Sequence, residues 1–295
     1  MKVVAHMMGG LGNQMFQYAA ARALAARSGS ELVLDPWSGF ARDIVYKRRY
    51  ELGSFAVRGR HATKAEGLPF WFERLKLKYS GHQPPPVSER PWGTLLWEPE
   101  QRVYPEVLSM TAHRSIWSHG HWQSERYFDE MRAEVGEELT PPEPLDSQFL
   151  EMGSQIDSTQ AVAIGVRLFE EMPGATKDVV GGLTGEAFYR TAAERLAGSL
   201  SHPVFFLFCS TLQPAVRALK LPGPVHYVTG DAGFSSAVDS LWLLSRCRNH
   251  IVSNSSFFWW GAWLAERRHA DARVLVSNRF PNPGTVPSRW ESLTL

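Results

Sequence analysis

The chain is poor in cysteine, in long apolar runs and in net charge. Its two cysteines, Cys209 and Cys247, lie in apolar surroundings, which predicts reduced core residues rather than a disulfide or a metal site. There is no run of about 18 apolar residues to span a bilayer, and the short, glycine-interrupted start is not a signal peptide. A net charge of +1 gives no basic footprint for nucleic acid. These absences favour a cytoplasmic globular protein, and 295 residues suffice for one large or two medium domains.

The most informative feature that is present is a glycine-rich turn near the start. A short apolar run, residues 3–6, predicts a strand, and Gly9, Gly10 and Gly12 follow it. Asn13 is placed to cap a helix that continues to position 27. Such a turn presents backbone N–H groups to an anion, and glycine lets a ligand approach closely. Because the spacing is not G-x-G-x-x-G, an ordinary structural turn remains the alternative.

Strands and helices alternate along most of the chain. A β-α-β unit covers 3–35, whereas 36–100 is predicted to be irregular or to form short helices. The clearer alternation of the second half is typical of a parallel sheet flanked by helices. Its predicted strands are 161–167, 204–209, 226–229, 250–253 and 273–277, and its predicted helices 186–200, 214–219, 235–247 (capped by Ser235) and 256–268. Prolines near 141–144 suggest two domains, 1–155 and 156–295. The predicted fold is α/β, with two Rossmann-like domains facing across a cleft and ligands at the carboxyl ends of strands.

Three further segments carry side chains suited to binding. Arg167 follows a buried strand and suits bidentate phosphate binding, with Glu170 and Glu171 directly after it; a surface Arg–Glu pair is the alternative. Residues 253–257 begin a helix after a strand, where hydroxyls and N–H groups suit a diphosphate; an ordinary serine cap with Trp259, Trp260 and Trp263 in the core is the alternative. Residues 120–128 suit a sugar, or else form a helix cap with a hydrophobic staple.

Together these segments resemble the bacterial α-1,2-fucosyltransferases of glycosyltransferase family eleven, over nearly the full chain and least at 55–95. The stretches similar to family motifs are Gly9–Ala19 (G-G-L-G-N-Q-x-F-Q-Y-A), Trp122–Phe128 (W/F-Q-S-E-K-Y-F), Asp239–Cys247 (D-L-x-L-M-S-x-C) and Asn254–Trp263 (N-S-S-F-S-W-W-G-A-W). The resemblance implies a two-domain GT-B fold and inverting, metal-independent transfer from GDP-β-L-fucose. The expected product is α-linked, with an α-1,2 linkage to a glycan.

Two family motifs are changed here. The H-x-R-R-x-D motif falls on residues 165–170: Gly165 replaces the histidine, Arg167 keeps the first arginine, Leu168 replaces the second, and Glu170 takes the aspartate position. The related protein O-fucosyltransferases also carry one arginine there, so one suffices for the β-phosphate. The F-S-D-D turn becomes 208–211, where Ser210 and Thr211 replace both carboxylates. Another nucleotide sugar, or a catalytically silent sugar-binding protein, therefore stays open as an alternative.

The motifs and the resemblance together predict which residues bind the donor and which take part in catalysis. Arg167 is expected to stabilise negative charge on the leaving β-phosphate, and Glu170 or Glu171 to act as general base or to bind the nucleotide. The other expected donor-binding residues are Gly9, Gly10, Gly12, Asn13, Gln14, Ser210, Asn254, Ser255, Ser256 and Phe257. The two turns are expected to close on one diphosphate from opposite domains, the first domain being the acceptor side. No D-x-D motif is evident, so neither a metal nor another cofactor is expected. The expected partners are a nucleotide-sugar donor, a glycan acceptor and, peripherally, the inner membrane, but not nucleic acid.

Overall fold

The structure is a computed structural model that describes residues 1–41, 43, 47–166 and 185–294. It divides into two compact units, Met1–Leu139 and Thr140–Leu295. The boundary predicted from the sequence, between 155 and 156, falls inside a helix, Ser147–Asp157. That helix belongs to the second unit because its buried Phe149 packs edge-on against Phe234.

The first unit is built on a six-stranded sheet in the order β3-β2-β1-β6-β5-β4. All neighbouring strands run parallel except β4, which is antiparallel to β5. The strands are β1 (Lys2–His6), β2 (Glu31–Asp35), β3 (Arg60–His61), β4 (Val87–Arg90), β5 (Gly93–Trp97) and β6 (Ile116–His119). The helices of this unit are α1 (Leu11–Arg27), α2 (Lys64–Ser80), α3 (Pro105–Leu108) and α4 (Arg132–Glu138).

The second unit has a six-stranded, wholly parallel sheet in the order β12-β11-β10-β7-β8-β9. Numbered within the unit this is the 3-2-1-4-5-6 order of a dinucleotide-binding Rossmann sheet. The strands are β7 (Gln160–Gly165), β8 (Pro203–Cys209), β9 (Val225–Thr229), β10 (Asn249–Val252), β11 (Arg273–Ser277) and β12 (Glu291–Leu293). The helices are α5 (Ser147–Asp157), α6 (Glu186–Ala197), α7 (Pro214–Arg217), α8 (Ala237–Arg246) and α9 (Ser256–Arg268). The prediction of two Rossmann-like domains is confirmed.

The apolar residues of helices α8 and α9 form part of the buried core of the second unit. α8 buries Leu241 and Leu244, and α9 buries Trp259, Trp260 and Trp263 completely. The three indoles pack against one another, with Trp259 edge-on to Trp260 at 5.0 Å between ring centroids. Core packing of these tryptophans, predicted from the sequence, is confirmed. Both cysteines are buried, as predicted, and neither takes part in a disulfide.

Several predicted boundaries differ from the structure. Ser236 rather than Ser235 caps α8, and its hydroxyl accepts from the Asp239 N–H. Residues 125–131, which follow the predicted helix cap, form two 3-10 turns, Glu125–Tyr127 and Asp129–Met131, before the short α4. The stretch predicted to be irregular holds the 17-residue helix α2, whose interior Pro69 disguises its pattern because proline usually ends a helix. Along the described chain, no helix combines the length and apolarity needed to cross a membrane.

Candidate active site

The glycine turn follows β1, the strand at which the order of the first sheet changes direction. β1 lies between β2 and β6, and ligands of open α/β sheets bind at the carboxyl ends of strands beside such a switch point. Gly9 adopts a φ of +75°, a conformation that glycine reaches without strain. A Cβ at Gly9 would lie 2.7 Å from Nδ2 of Asn13, so only glycine fits against that amide.

The N-cap of α1 is Gly10, not Asn13 as the sequence predicted. The helix begins at Leu11, and the Gly10 carbonyl accepts from the backbone N–H groups of Asn13 at 2.9 Å and Gln14 at 3.1 Å. Asn13 therefore lies in the first turn, where its Oδ1 accepts from Nε2 of Gln123 at 2.8 Å. This hydrogen bond ties the segment after β6 to the start of α1.

The Gln14 side chain holds the turn against a second loop. It is fully buried, and its Nε2 donates to the carbonyls of Gly9 at 3.0 Å and Arg49 at 2.9 Å. Its Oε1 accepts from the Glu51 N–H at 2.9 Å. Both the nitrogen and the oxygen of the Gln14 amide therefore hydrogen-bond to backbone groups, and the role of Gln14 is to position the turn. Gln17 does the same one helical turn later, since its amide pairs with both polar groups of Met8.

Two charged residues from that loop lie at the N-terminus of α1. A Cβ at Gly10 would lie 2.7 Å from Nη1 of Arg48, so the guanidinium covers the turn. The Glu51 carboxylate accepts from the Leu11 N–H, and burial raises the pKa of Glu51 against the opposing effect of Arg49 and Arg48. The first turn of α1 contains no acidic residue of its own. The turn thus combines helix N–H groups and a cation, which suit an anion, with one carboxylate that already accepts from the helix. Sequence reasoning missed Arg48 and Glu51 because they come from a separate loop.

A buried carboxylate fixes the segment that follows β6. Glu98, just after β5, accepts with Oε2 from the backbone N–H groups of His121 at 2.5 Å and Trp122 at 3.2 Å. Trp122 has a φ of +52°, which is rare for a bulky residue. Burial raises the pKa of Glu98 to about 7 although these two N–H groups lower it. Glu98 thereby holds the backbone just before Gln123 in place.

Two histidines, the buried His6 and the half-buried His119, end the neighbouring strands β1 and β6. Nδ1 of His6 lies 2.5 Å from Nδ1 of His119, and the two rings stack at 4.7 Å between centroids. Trp97, at the end of β5, stacks on His119 at 4.0 Å. Burial lowers the pKa of His6 to about 4 and the pKa of His119 well below its ordinary value. Both rings are therefore neutral at pH 7, so one nitrogen donates and the other accepts.

The second sheet changes direction between β7 and β10, and the predicted segments surround that point. Val252 pairs with Gly165, and Gly165 pairs with Phe208, so β10, β7 and β8 end side by side. Ser253 and the start of α9 follow β10, while the exposed Ser210 follows β8. The structure therefore brings to one edge the strand ends that precede Arg167, Ser210 and Ser253. Arg167, Glu170 and Glu171 lie outside the described residues.

The N-terminus of α9 has features that suit an anion. Its N-cap, Ser255, makes no side-chain capping bond, and the helix has no acidic residue in its first turn and two arginines in its last. Asn254, Ser256 and Phe257 are half-buried. The Ser253 hydroxyl is buried with no partner among the described residues. A helix dipole without a local carboxylate attracts a negative group at this end.

Gly165, which stands where the family motif has histidine, packs against Phe258. A Cβ at Gly165 would lie 2.2 Å from Cγ of Phe258, a distance that no real contact permits. The Phe258 ring thus occupies the space that a side chain at position 165 requires. The family run N-S-S-F-S-W-W has serine where this chain has Phe258. The histidine-to-glycine and serine-to-phenylalanine changes are therefore complementary, a link that sequence reasoning missed because 165 and 258 are distant in the chain.

No group of three or more histidine, cysteine, aspartate or glutamate side chains suited to a metal occurs among the residues that the structure describes. The chemistry of the described sites is instead that of backbone N–H groups, hydroxyls and a guanidinium.

Comparison with known proteins identifies the family. The model of glycosyl transferase family 11 matches residues 100–278. The chain belongs to this family. It is a glycosyltransferase, and residues 254–263 and 122–128, which carry two of the recognised motifs, lie within the matched stretch.

Two relatives match the chain over most of both lengths. It is 28% identical to the alpha-1,2-colitosyltransferase of Escherichia coli over 89% of this chain and 87% of that protein. It is 26% identical to the O-antigen biosynthesis glycosyltransferase WbnK of Escherichia coli over 92% of each. A mutant of Arabidopsis thaliana FUT1 in complex with GDP is 14% identical with a TM-score of 0.49, over 95% of this chain and 71% of that one.

Proposed function

We propose that this family 11 glycosyltransferase moves L-fucose from GDP-β-L-fucose to a hydroxyl of a glycan acceptor, with inversion and an α-1,2 linkage. The observation that carries the proposal is the switch point of the second sheet. There the uncapped N-terminus of α9 and the strand end that leads to Arg167 adjoin. An N–H cluster beside a guanidinium suits a nucleotide diphosphate.

The proposed reaction needs one bond made and one broken. The acceptor oxygen bonds to the anomeric carbon as the bond from that carbon to the β-phosphate oxygen breaks, and GDP leaves with the electron pair. The acceptor proton passes to a carboxylate, for which Glu170 and Glu171 remain the candidates. Arg167, Ser255 and Ser256 stabilise charge on the departing phosphate.

The first unit has a proposed share in donor binding. Gly9, Gly10 and Gly12 leave the backbone of the turn without side chains at these positions, and Arg48 lies over Gly10 and supplies positive charge there. Gln14 and Asn13 hold the turn through their bonds to Arg49 and Gln123. Gly10→Val is expected to impair donor use while the protein stays folded, because the added atoms displace Arg48 rather than core residues.

Colitose is a second candidate for the transferred sugar. Two observations favour it: the relative named alpha-1,2-colitosyltransferase, and the exchange of the family histidine for Gly165 with Phe258 filling its place. An aromatic ring in place of a polar imidazole removes hydrogen-bonding capacity beside β7, which weakens selection for a polar donor group.

Nucleotide and donor panels test both candidates. Thermal shift with GDP, UDP and dTDP is expected to raise Tm with GDP alone, since a ligand that binds the folded state stabilises it. Product formation from GDP-fucose and GDP-colitose then identifies the sugar. Stabilisation by UDP or dTDP but not GDP would refute the GDP assignment for either sugar.

A further inference from the structure

An apolar stripe runs along the outer face of α2. The exposed large apolar side chains include Leu68 at 48%, Trp71 at 45%, Phe72 at 53% and Tyr79 at 79% of full exposure. At about 100° per residue, these four positions fall within an arc of about 100° on one side of the helix. Isolated exposed apolar residues are ordinary, but a stripe with three aromatic side chains marks an interaction surface.

The opposite face of α2 anchors the helix to the first unit. Phe70 is fully buried and stacks on His6 at 4.6 Å between centroids. Glu73 accepts from Nε of Arg90 at 2.9 Å, and Glu66 accepts from Nζ of Lys2 at 2.6 Å. A capping box at Thr63 begins the helix, and Gly81, with a φ of +67°, ends it. The helix is thus held with its stripe outward.

The charges of α2 are divided between its two faces. Both acidic residues, Glu66 and Glu73, lie on the anchored side with their side chains 11% and 5% exposed. The exposed charged residues of α2 are three lysines, Lys64, Lys76 and Lys78. On the helical projection Lys76 and Lys78 flank the stripe on its two sides. The outer face is therefore apolar in the middle and positive at its edges.

A further exposed aromatic residue lies on a loop beside α2. Trp37, on the loop after β2, is 60% exposed. The next residue, Ser38, accepts with its carbonyl from Nη1 of Arg74 on α2 at 3.4 Å, so the loop and the helix are neighbours. Tryptophan and tyrosine favour the boundary between lipid headgroups and acyl chains, because one part of the ring system is apolar and the other hydrogen-bonds.

We propose that the outer face of α2 docks this enzyme on an anionic bilayer surface, with Leu68, Trp71, Phe72 and Tyr79 entering the headgroup boundary and the flanking lysines contacting anionic headgroups. The occupant is a lipid surface because the apolar stripe is bordered by charge of one sign, the pattern of helices that lie in the membrane plane. The proposal does not depend on which donor the enzyme uses.

Vesicle flotation of the full chain tests it. Wild type is expected to float with vesicles of 70% phosphatidylcholine and 30% phosphatidylglycerol, and less with pure phosphatidylcholine. W71S/F72S is expected to lower the partition coefficient at least about tenfold on anionic vesicles, since two large apolar side chains no longer enter the boundary. K76Q/K78Q is expected to lower the partition coefficient about 25-fold there, at about fivefold per lysine, and to change it little on neutral vesicles.

Matched controls separate docking from stability and self-association. L145S removes a fully exposed leucine and K220Q an exposed lysine of the second unit, and neither is expected to alter flotation. Thermal melting checks that every variant folds. Wild type that stays unbound with both vesicles, or W71S/F72S that floats like wild type, would overturn the proposal. So would light scattering showing a wild-type dimer that W71S/F72S converts to monomer, because the face would then bind a second copy.

Discussion

The contact between Gly165 and Phe258 gives a quantitative prediction. Gly165→Ala places a methyl group 2.2 Å from Cγ of Phe258 in the present geometry, so the ring or the strand must shift. Overpacking of this kind costs about 1–3 kcal/mol. Phe258→Ala removes a ring that is 9% exposed and costs about 3 kcal/mol through lost burial and the cavity left behind.

The double variant Gly165→Ala/Phe258→Ala is expected to be less damaged than the sum of the two. Without the ring, the methyl group meets no clash, and alanine in a strand is favoured over glycine by about 0.5–1 kcal/mol. Gly165→Ala is therefore expected to lower the free energy of unfolding when Phe258 is present and to raise it when Phe258 is replaced by alanine. The expected coupling energy is about 2–4 kcal/mol, well above the roughly 0.5 kcal/mol scatter of independent sites.

Urea unfolding of the four proteins, followed by tryptophan fluorescence, measures this coupling. Gly53→Ala is the matched control, because a Cβ there has no neighbour within 4 Å and the change should stay within about 0.5 kcal/mol of wild type. Additive effects of the two substitutions would refute the reasoning that Phe258 fills the place of the family histidine.

Four further changes have expected outcomes. Arg167→Ala should lower kcat/KM by an amount equal to about 2–4 kcal/mol of transition-state stabilisation. Arg167→Lys should restore only part of that loss, because the lysine ammonium cannot form the two parallel hydrogen bonds of a planar guanidinium. Gln14→Leu should lower the free energy of unfolding by about 2–4 kcal/mol, since three backbone groups lose partners. Glu98 has a pKa raised from 4.5 to about 7, so the folded state keeps a proton that the unfolded chain releases between these values. Stability should therefore fall as pH rises from 4.5 to 7, by up to about 3 kcal/mol, and Glu98→Gln should remove that fall. Activity should survive excess EDTA.

Each of these has a contradicting result. Wild-type turnover by folded Arg167→Ala would remove that residue from the phosphate site. An unchanged urea midpoint for Gln14→Leu would mean that the loop at Arg49 and Glu51 does not depend on the amide. If the difference in free energy of unfolding between Glu98→Gln and wild type were the same at pH 5 and pH 8, the raised pKa of Glu98 would be refuted. Activity lost with EDTA and restored by Mg²⁺ would assign the enzyme to a metal-dependent mechanism.

Local patterns determined most of the second unit. Strand β11 and helix α9 begin and end where apolar runs and helical spacing predict, because the alternation of β and α elements is a local signal. The position of Ser253 and the start of α9 beside the end of β7 also followed from the sequence, since parallel strands end at one edge. The glycine turn after β1 was readable for the same reason.

The first unit was harder to read from sequence. β4 and β5 come from the stretch predicted to be irregular, and β5 is buried along its whole length, so it lacks the alternation that marks a strand. α2 carries a proline and apolar residues on both faces, which gives no single helical stripe. Only the packing of Phe70 and Glu73 against the first unit decides which of those faces lies outward.

The sequence by itself determined the family, the two Rossmann-like units and the turns that end their central strands, because these depend on residues close together in the chain. The tertiary structure alone decided which side chains meet across long separations. It placed Arg48 over Gly10 and Gln123 on Asn13, and it filled the space at Gly165 with Phe258. Such contacts depend on how strands order themselves in a sheet, and a one-dimensional pattern does not contain that order.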